Sequence, residues 1–178
     1  MAMTPAIDKV RPLIRTRQNR EFTADPVTED ELNALAQVAR WSGSSSNSQP
    51  WRFIIVRDVA LIRQIAEIAA PQTRALRTAA AALAISMPNE PSHAASRAYD
   101  EGRAAERILI AATMLGLGAG ITWLLEKYRP EVGGLLGVGD DRFVRTIMAI
   151  GHPTDQAQKP RSAPGEARHP LAELVEWQ

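Results

Sequence analysis

Apolar residues recur at helical spacing in several stretches of this chain, and the polar residues beside them mark where helices start. Thr28-Glu29-Asp30-Glu31 forms a capping box, and Leu32, Leu35, Ala36 and Ala39 make the apolar stripe behind it; together they predict a helix ending near Trp41. Thr4-Pro5 opens an earlier helix over residues 6–14, with a capping hydroxyl and proline at the first helical position. Residues 59–70 read as an amphipathic helix stopped by Pro71, and residues 94–115 as the longest helix. Strands are predicted for the β-rich runs 51–56 and 142–150 and for the alanine-rich run 81–87. Residues 15–26, 42–50 and 88–92 carry the polar, Gly, Ser and Pro signals of loops. From His152 the chain is proline-rich and predicted to be mostly extended, with a short apolar close over residues 171–177. Helices and strands mix without a regular βαβ alternation, which predicts an α+β fold. No repeat or linker divides the chain, so residues 1–178 are expected to form one domain, with 152–178 as a C-terminal tail.

Residues 108–125 hold no charge and just reach the length of a membrane span. Gly116, Gly118 and Gly120 interrupt the run, much of it is alanine, and no aromatic belt or basic flank orients it. The stretch is expected instead to be a helix apolar on all sides, buried in a core or a subunit interface. Gly116-Leu117-Gly118-Ala119-Gly120 invites a dinucleotide-binding reading, but a helix precedes these glycines where that fingerprint needs a strand. The better reading is a break where two elements approach closely, which also suits a flat ligand.

Net charge is +1 at 45% apolar composition, so nothing in the totals demands nucleic acid or a membrane surface. The chain has no cysteine, which excludes disulfides, thiolate metal sites and a cysteine nucleophile. His93, His152 and His169 lack ligand spacing, so no metal site is expected. Asp8, Lys9 and Arg11 interrupt any apolar signal core, and a cytoplasmic location is expected.

Two segments carry candidate chemistry. Residues 42–51 gather serines, Asn47 and Gln49 ahead of an aromatic-led strand, a dense set of short donors and acceptors able to line a polar ring. Arg15, Arg17 and Arg20 stand close together on a loop and can hold a phosphate with forked, charge-assisted bonds; Arg168 in the tail could add another. No pairing of His with Ser and Asp and no carboxylate pair suggests hydrolysis. An anion site and a ring-lining loop without acid–base machinery fit a protein whose cofactor does the chemistry.

These segments resemble a known family. Arg17-Gln18-Asn19-Arg20-Glu21-Phe22 resembles the N-terminal motif of the FMN-dependent nitroreductases, and residues 44–51 resemble their Ser-rich Asn-x-Gln-Pro-Trp motif. Residues 104–118 resemble the helix ending in Gly-Leu-Gly, Ile150-Gly151-His152-Pro153 the end of the last strand, and Arg168-His169-Pro170-Leu171 the closing Arg-x-Pro. The resemblance implies an interlocked homodimer with a mixed sheet flanked by helices, and FMN at the subunit interface. It assigns Arg17 and Arg20 to the phosphate and pyrimidine side, with Gln18 where serine is common. Ser44, Ser45 and Asn47 would reach the flavin from the other subunit. Ile121, Thr122 and Trp123 would lie along the ring, and Arg168 would bind phosphate. The chain departs from the pattern in three places. Thr16 stands where the first arginine is usual, leaving Arg15 or Arg17 to substitute. Gly43 replaces a common proline, and Trp123 and Leu124 replace smaller or acidic residues.

The implied activity passes hydride from NAD(P)H through flavin to a nitroaromatic, quinone or related acceptor, with no catalytic acid or base named. The alternatives are a flavin-fragmenting or dehalogenating enzyme of the same fold, or a non-catalytic FMN-binding module.

Overall fold

In the computed structural model, which describes residues 5–159, 162 and 168–178, four strands form one sheet in the order β1-β2-β4-β3. They are β1 (Arg52–Val56), β2 (Ala81–Pro88), β3 (Gly118–Trp123) and β4 (Arg142–Gly151), and every neighbouring pair is antiparallel. The expected mixed sheet is therefore corrected for the named strands. Parallel pairing enters only through an isolated bridge between Gln18 and Ala119.

Helices cover both faces. One face packs against α2 (Glu29–Arg40) and α4 (Ala94–Met114), with Leu32, Leu35, Leu83, Ile85, Ile108, Met148 and Ile150 in one buried cluster. The other packs against α3 (Val59–Ile68) and α5 (Arg129–Leu135), with Ile62, Ile65, Ala82, Ala84, Val132, Ile147 and Ala149 in a second. The central strand β2 is buried along both faces, which explains its unbroken apolar run and its small residues toward α3. Two further helices are α1 (Pro5–Arg15), which buries no residue within the chain, and α6 (Asp155–Gln158).

The capping box is built as the sequence implies: Thr28 Oγ1 accepts from Glu31 N–H at 3.2 Å, and the Glu31 carboxylate accepts from Thr28 N–H at 2.8 Å. The cap expected at Thr4 lies outside the described residues. The tail is less extended than expected, since α6 is capped by Thr154 and residues 171–173 make a single 3-10 turn.

The uncharged run is not one helix. α4 ends at Met114, Gly116 takes φ +75°, and the chain turns into β3. Leu117 N–H reaches back to Ala112 O and Gly116 N–H to Thr113 O, the paired bonds of a Schellman stop that needs a left-handed residue. The run joins the buried part of α4, which ends at Ala112, to the buried start of β3 through residues 113–116, which are exposed, as is Trp123. No helix among the described residues is long and apolar enough to cross a membrane.

Candidate functional site

The arginine-bearing loop docks on the outer edge of β3. Asn19 N–H donates to Ala119 O at 2.8 Å, and the Gln18 side-chain oxygen accepts the Ile121 N–H at 3.1 Å. The glycines explain the fit. A Cβ added at Gly120 would lie 2.3 Å from Asn19 O, and one at Gly118 would lie 3.0 Å from the Asn19 side chain. Close approach, rather than a dinucleotide turn, is what these glycines serve.

On β3, residues 119 and 121 turn their backbone polar groups to the outer edge, and by strand alternation Trp123 does the same. Thr122 faces the opposite way: it is buried, its backbone turns toward β4, and its hydroxyl donates to Ile147 O at 2.7 Å, so neither its backbone nor its side chain is turned to the outer edge. Ile121 is half-buried and Trp123 exposed. Arg17 is exposed and Arg20 half-buried on the neighbouring loop.

The serine loop is built separately, against the first half of α4. Residues 45–47 make a 3-10 turn, and Ser46, Asn47 and Gln49 all take positive φ, at 50°, 52° and 46°. Such conformations are held by surrounding contacts. Ser45 N–H donates to Asp100 Oδ1 at 2.9 Å, Arg97 donates to Ser48 Oγ at 2.8 Å, and Gln49 N–H donates to Ser44 Oγ at 2.9 Å. Arg107 holds Trp41 O at the start of the loop. At its end, Arg142 donates to Pro50 O at 2.7 Å and to Ser86. Partial burial lowers the Arg142 pKa, with Arg52 nearby acting in the same direction. Glu90 is held below its ordinary value chiefly by its bond from Arg97.

The two loops stand at opposite corners of the sheet. The serine loop leads into β1, on one edge; the arginine loop clips β3, on the other. The start of β1 is level with the start of β4, whereas the start of β3 is level with its end. Asp100, which holds the serine loop, and Met114, just before β3, are fourteen residues apart on α4, about 20 Å at ~1.5 Å per residue.

The structure thus joins Gln18 to Ile121 and sets Arg17 and Arg20 on the same loop. It gathers Ser44, Ser45 and Asn47 into a second group and does not join the two within one chain. Arg168 is exposed on the tail segment 168–178. Asn19, Arg97, Asp100 and Arg142 escape a reading by motif. A signal exists for Asp100 and Glu101, because two acids occupy positions that continue the buried stripe of Ala104, Ala105, Ile108 and Ala112.

A sequence profile described as Nitroreductase family matches residues 14–89, the segment containing both loops. A crystal structure of a nitroreductase family protein from Streptococcus pneumoniae superposes with TM-score 0.80 over 96% of this chain and all of its own (100%), at 16% identity, which speaks to the fold alone. Over residues 14–89 the chain is therefore similar to the nitroreductase family. Among the proteins similar to this chain, one from Archaeoglobus fulgidus, provisionally named NADH dehydrogenase/NAD(P)H nitroreductase, is 28% identical over 81% of this chain and 85% of its own. The NADPH-flavin oxidoreductase of Vibrio harveyi is 27% identical over 85% of this chain and 69% of its own.

Proposed function

We propose that the protein is an NAD(P)H-dependent oxidoreductase that carries FMN at a site shared by two copies of the chain and reduces a nitroaromatic, quinone or related acceptor. The names of the relatives support NAD(P)H-linked reduction, and the family supports a flavin. The observation that carries the shared site is the separation of the two loops. Each is rigidly built, yet they lie at opposite corners of one sheet, so a single ring system meets both only when a second copy supplies one of them.

The donor chemistry fits FMN. Arg17 and Arg20 lie on the loop that docks on the β3 edge, and Arg168 adds a third cation for phosphate. Bound FMN would supply the two-electron relay between pyridine nucleotide and acceptor. The chain's own residues do the positioning. Gln18 holds the Ile121 backbone, and Ile121 and Trp123 flank the ring, with Thr122 anchoring the strand behind them. Ser44, Ser45 and Asn47 of the other copy approach it from across the interface. Arg20 places positive charge where reduction adds negative charge.

The visible spectrum of the purified protein with FMN tests this reading. Bound flavin should bleach with NADH or NADPH in the absence of oxygen, and its colour should return when a nitroaromatic or quinone is added. Bound flavin that no pyridine nucleotide bleaches would make the protein a binding module. Destruction of the flavin itself under oxygen would make it a fragmenting enzyme.

A further inference from the structure

We propose that Asp100 is a positioning residue that sets the serine loop in its ligand-binding shape, an inference that rests on the reading that this loop reaches the flavin. Asp100 is 1% exposed, although it sits on a helix face otherwise given to core contacts. One carboxylate oxygen, Oδ1, accepts the Ser45 N–H at 2.9 Å. The other, Oδ2, is buried without a hydrogen-bond partner, with Arg97 Nη1 3.9 Å away. A buried carboxylate with one oxygen unsatisfied is an expensive way to hold a single N–H, and a neutral acceptor of the same shape would carry less desolvation cost. Within α4 the acid has only Arg97 and Arg103 near it, each no closer than 3.9 Å. In the loop it holds, residues 46, 47 and 49 are all in the left-handed region, where L side chains are strained, and Ser45 is the first residue of that turn.

The neighbours complete a clamp. Arg97 lies three residues before Asp100 and reaches Ser48 Oγ at 2.8 Å, with its other nitrogen on Glu90 at 2.9 Å. Arg103, three residues after, has Nη1 3.9 Å from Asp100 Oδ1 and lies where a side chain on Gly43 would stand. Positions 97, 100 and 103 share one strip of the helix surface, so a single helix holds the loop at Ser45 and Ser48 and lays Arg103 over Gly43. The exposed guanidinium of Arg103 would have to swing aside for a side chain at position 43.

Two variants separate the clamp from the helix. Asp100→Ala removes the acceptor; Asp100→Asn keeps an acceptor oxygen in place. In the FMN-free protein, amide hydrogen exchange over residues 45–49 should quicken about tenfold or more in Asp100→Ala and return toward wild type in Asp100→Asn. The Kd for FMN should rise about tenfold in the alanine variant and stay within about threefold in the asparagine variant, as expected for loss of the bond in one and its survival as a neutral bond in the other. Riboflavin affinity should fall by the same factor, because the serine loop is assigned to the ring and not to the phosphate. Unchanged exchange in Asp100→Ala would overturn the clamp. Faster exchange with unchanged FMN affinity would overturn the positioning role, and Asn47→Ala then shows what fell. If that substitution weakens FMN, the loop reaches the flavin without needing Asp100; if it does not, the flavin reading of the loop has failed too. Should Asp100→Ala not fold, Ser48→Ala removes only the Arg97 bond and is judged by the same two measurements.

Discussion

A methyl group at position 120 would collide with the Asn19 carbonyl, a backbone atom that cannot swing away. Gly120→Ala must therefore lift the Gln18–Asn19 segment from β3 or bend the strand, and overpacking of this kind costs about 1–3 kcal/mol. Thermal unfolding should show a Tm lower by roughly 2–10 °C. Gly134→Ala makes the control, since a Cβ there meets nothing within 4 Å and its place in α5 suits alanine; its Tm should hold or rise slightly. The tight spacing of these glycines was legible in the sequence as close approach. What they approach was not, because Asn19 is about a hundred residues away and only the folded chain brings it there. Asp100 was hidden for a different reason: an acid on a helix reads as solvated surface until the buried stripe it extends is followed through, and Ser45 lies in a distant loop.

Elements were the most legible scale wherever a local stop or start decides them. The capping box at Thr28 is set by four consecutive residues, and the structure reproduces it bond for bond. Thr28→Ala should cost about 1 kcal/mol. The pH dependence follows from Glu31, whose pKa is lowered first by the Thr28 hydroxyl and next by the Thr28 N–H. A carboxyl depressed in the folded state adds stability above its unfolded pKa, about 4.3, and loses it as pH falls through the lower folded value. The Tm difference between wild type and Thr28→Ala should thus be full at pH 7 and shrink below about pH 4; a difference independent of pH would mean that Glu31 takes no part. Periodicity misled where two buried elements meet end to end. The 108–125 run looked like a single apolar helix because residues 108–112 and 117–122 are largely buried, and the exposed left-handed turn at Gly116 that divides them leaves no charged mark. The sheet's antiparallel pairing was equally illegible, since it depends on strand order, which no local pattern encodes.

At the scale of the whole molecule, exposed apolar residues gather on elements that have no covering layer. They include Leu13 and Ile14 on α1, Tyr99 and Met114 on α4, and Leu171, Leu174 and Trp177 in the tail. With the two loops at opposite corners, this surface supports an obligate dimer, whose interface should exceed ~2,000 Å² in total. Mixing tests the shared site directly. A chain carrying Asn47→Asp and a chain carrying Arg17→Glu should each be inactive alone. In purified mixed dimers one site of the two receives both wild-type groups, so activity should recover to about half that of wild type. No recovery in verified mixed dimers would place both groups in the same chain's site. A folded monomer at micromolar concentration by light scattering would remove the dimer itself.

The docking of Gln18 and Asn19 on β3 has a second consequence, for aggregation. β3 ends the sheet, and an edge strand offers its outward N–H and C=O groups to any passing strand. Here a neighbouring loop takes the Ala119 carbonyl and the Ile121 N–H, and the glycines let it lie so close that a foreign strand cannot enter beside it. The segment that carries the arginines thus also covers this stretch of the β3 edge. Loosening it exposes a template for edge-to-edge pairing, so Gln18 and Asn19 bear on how long the chains stay dispersed as well as on what they hold.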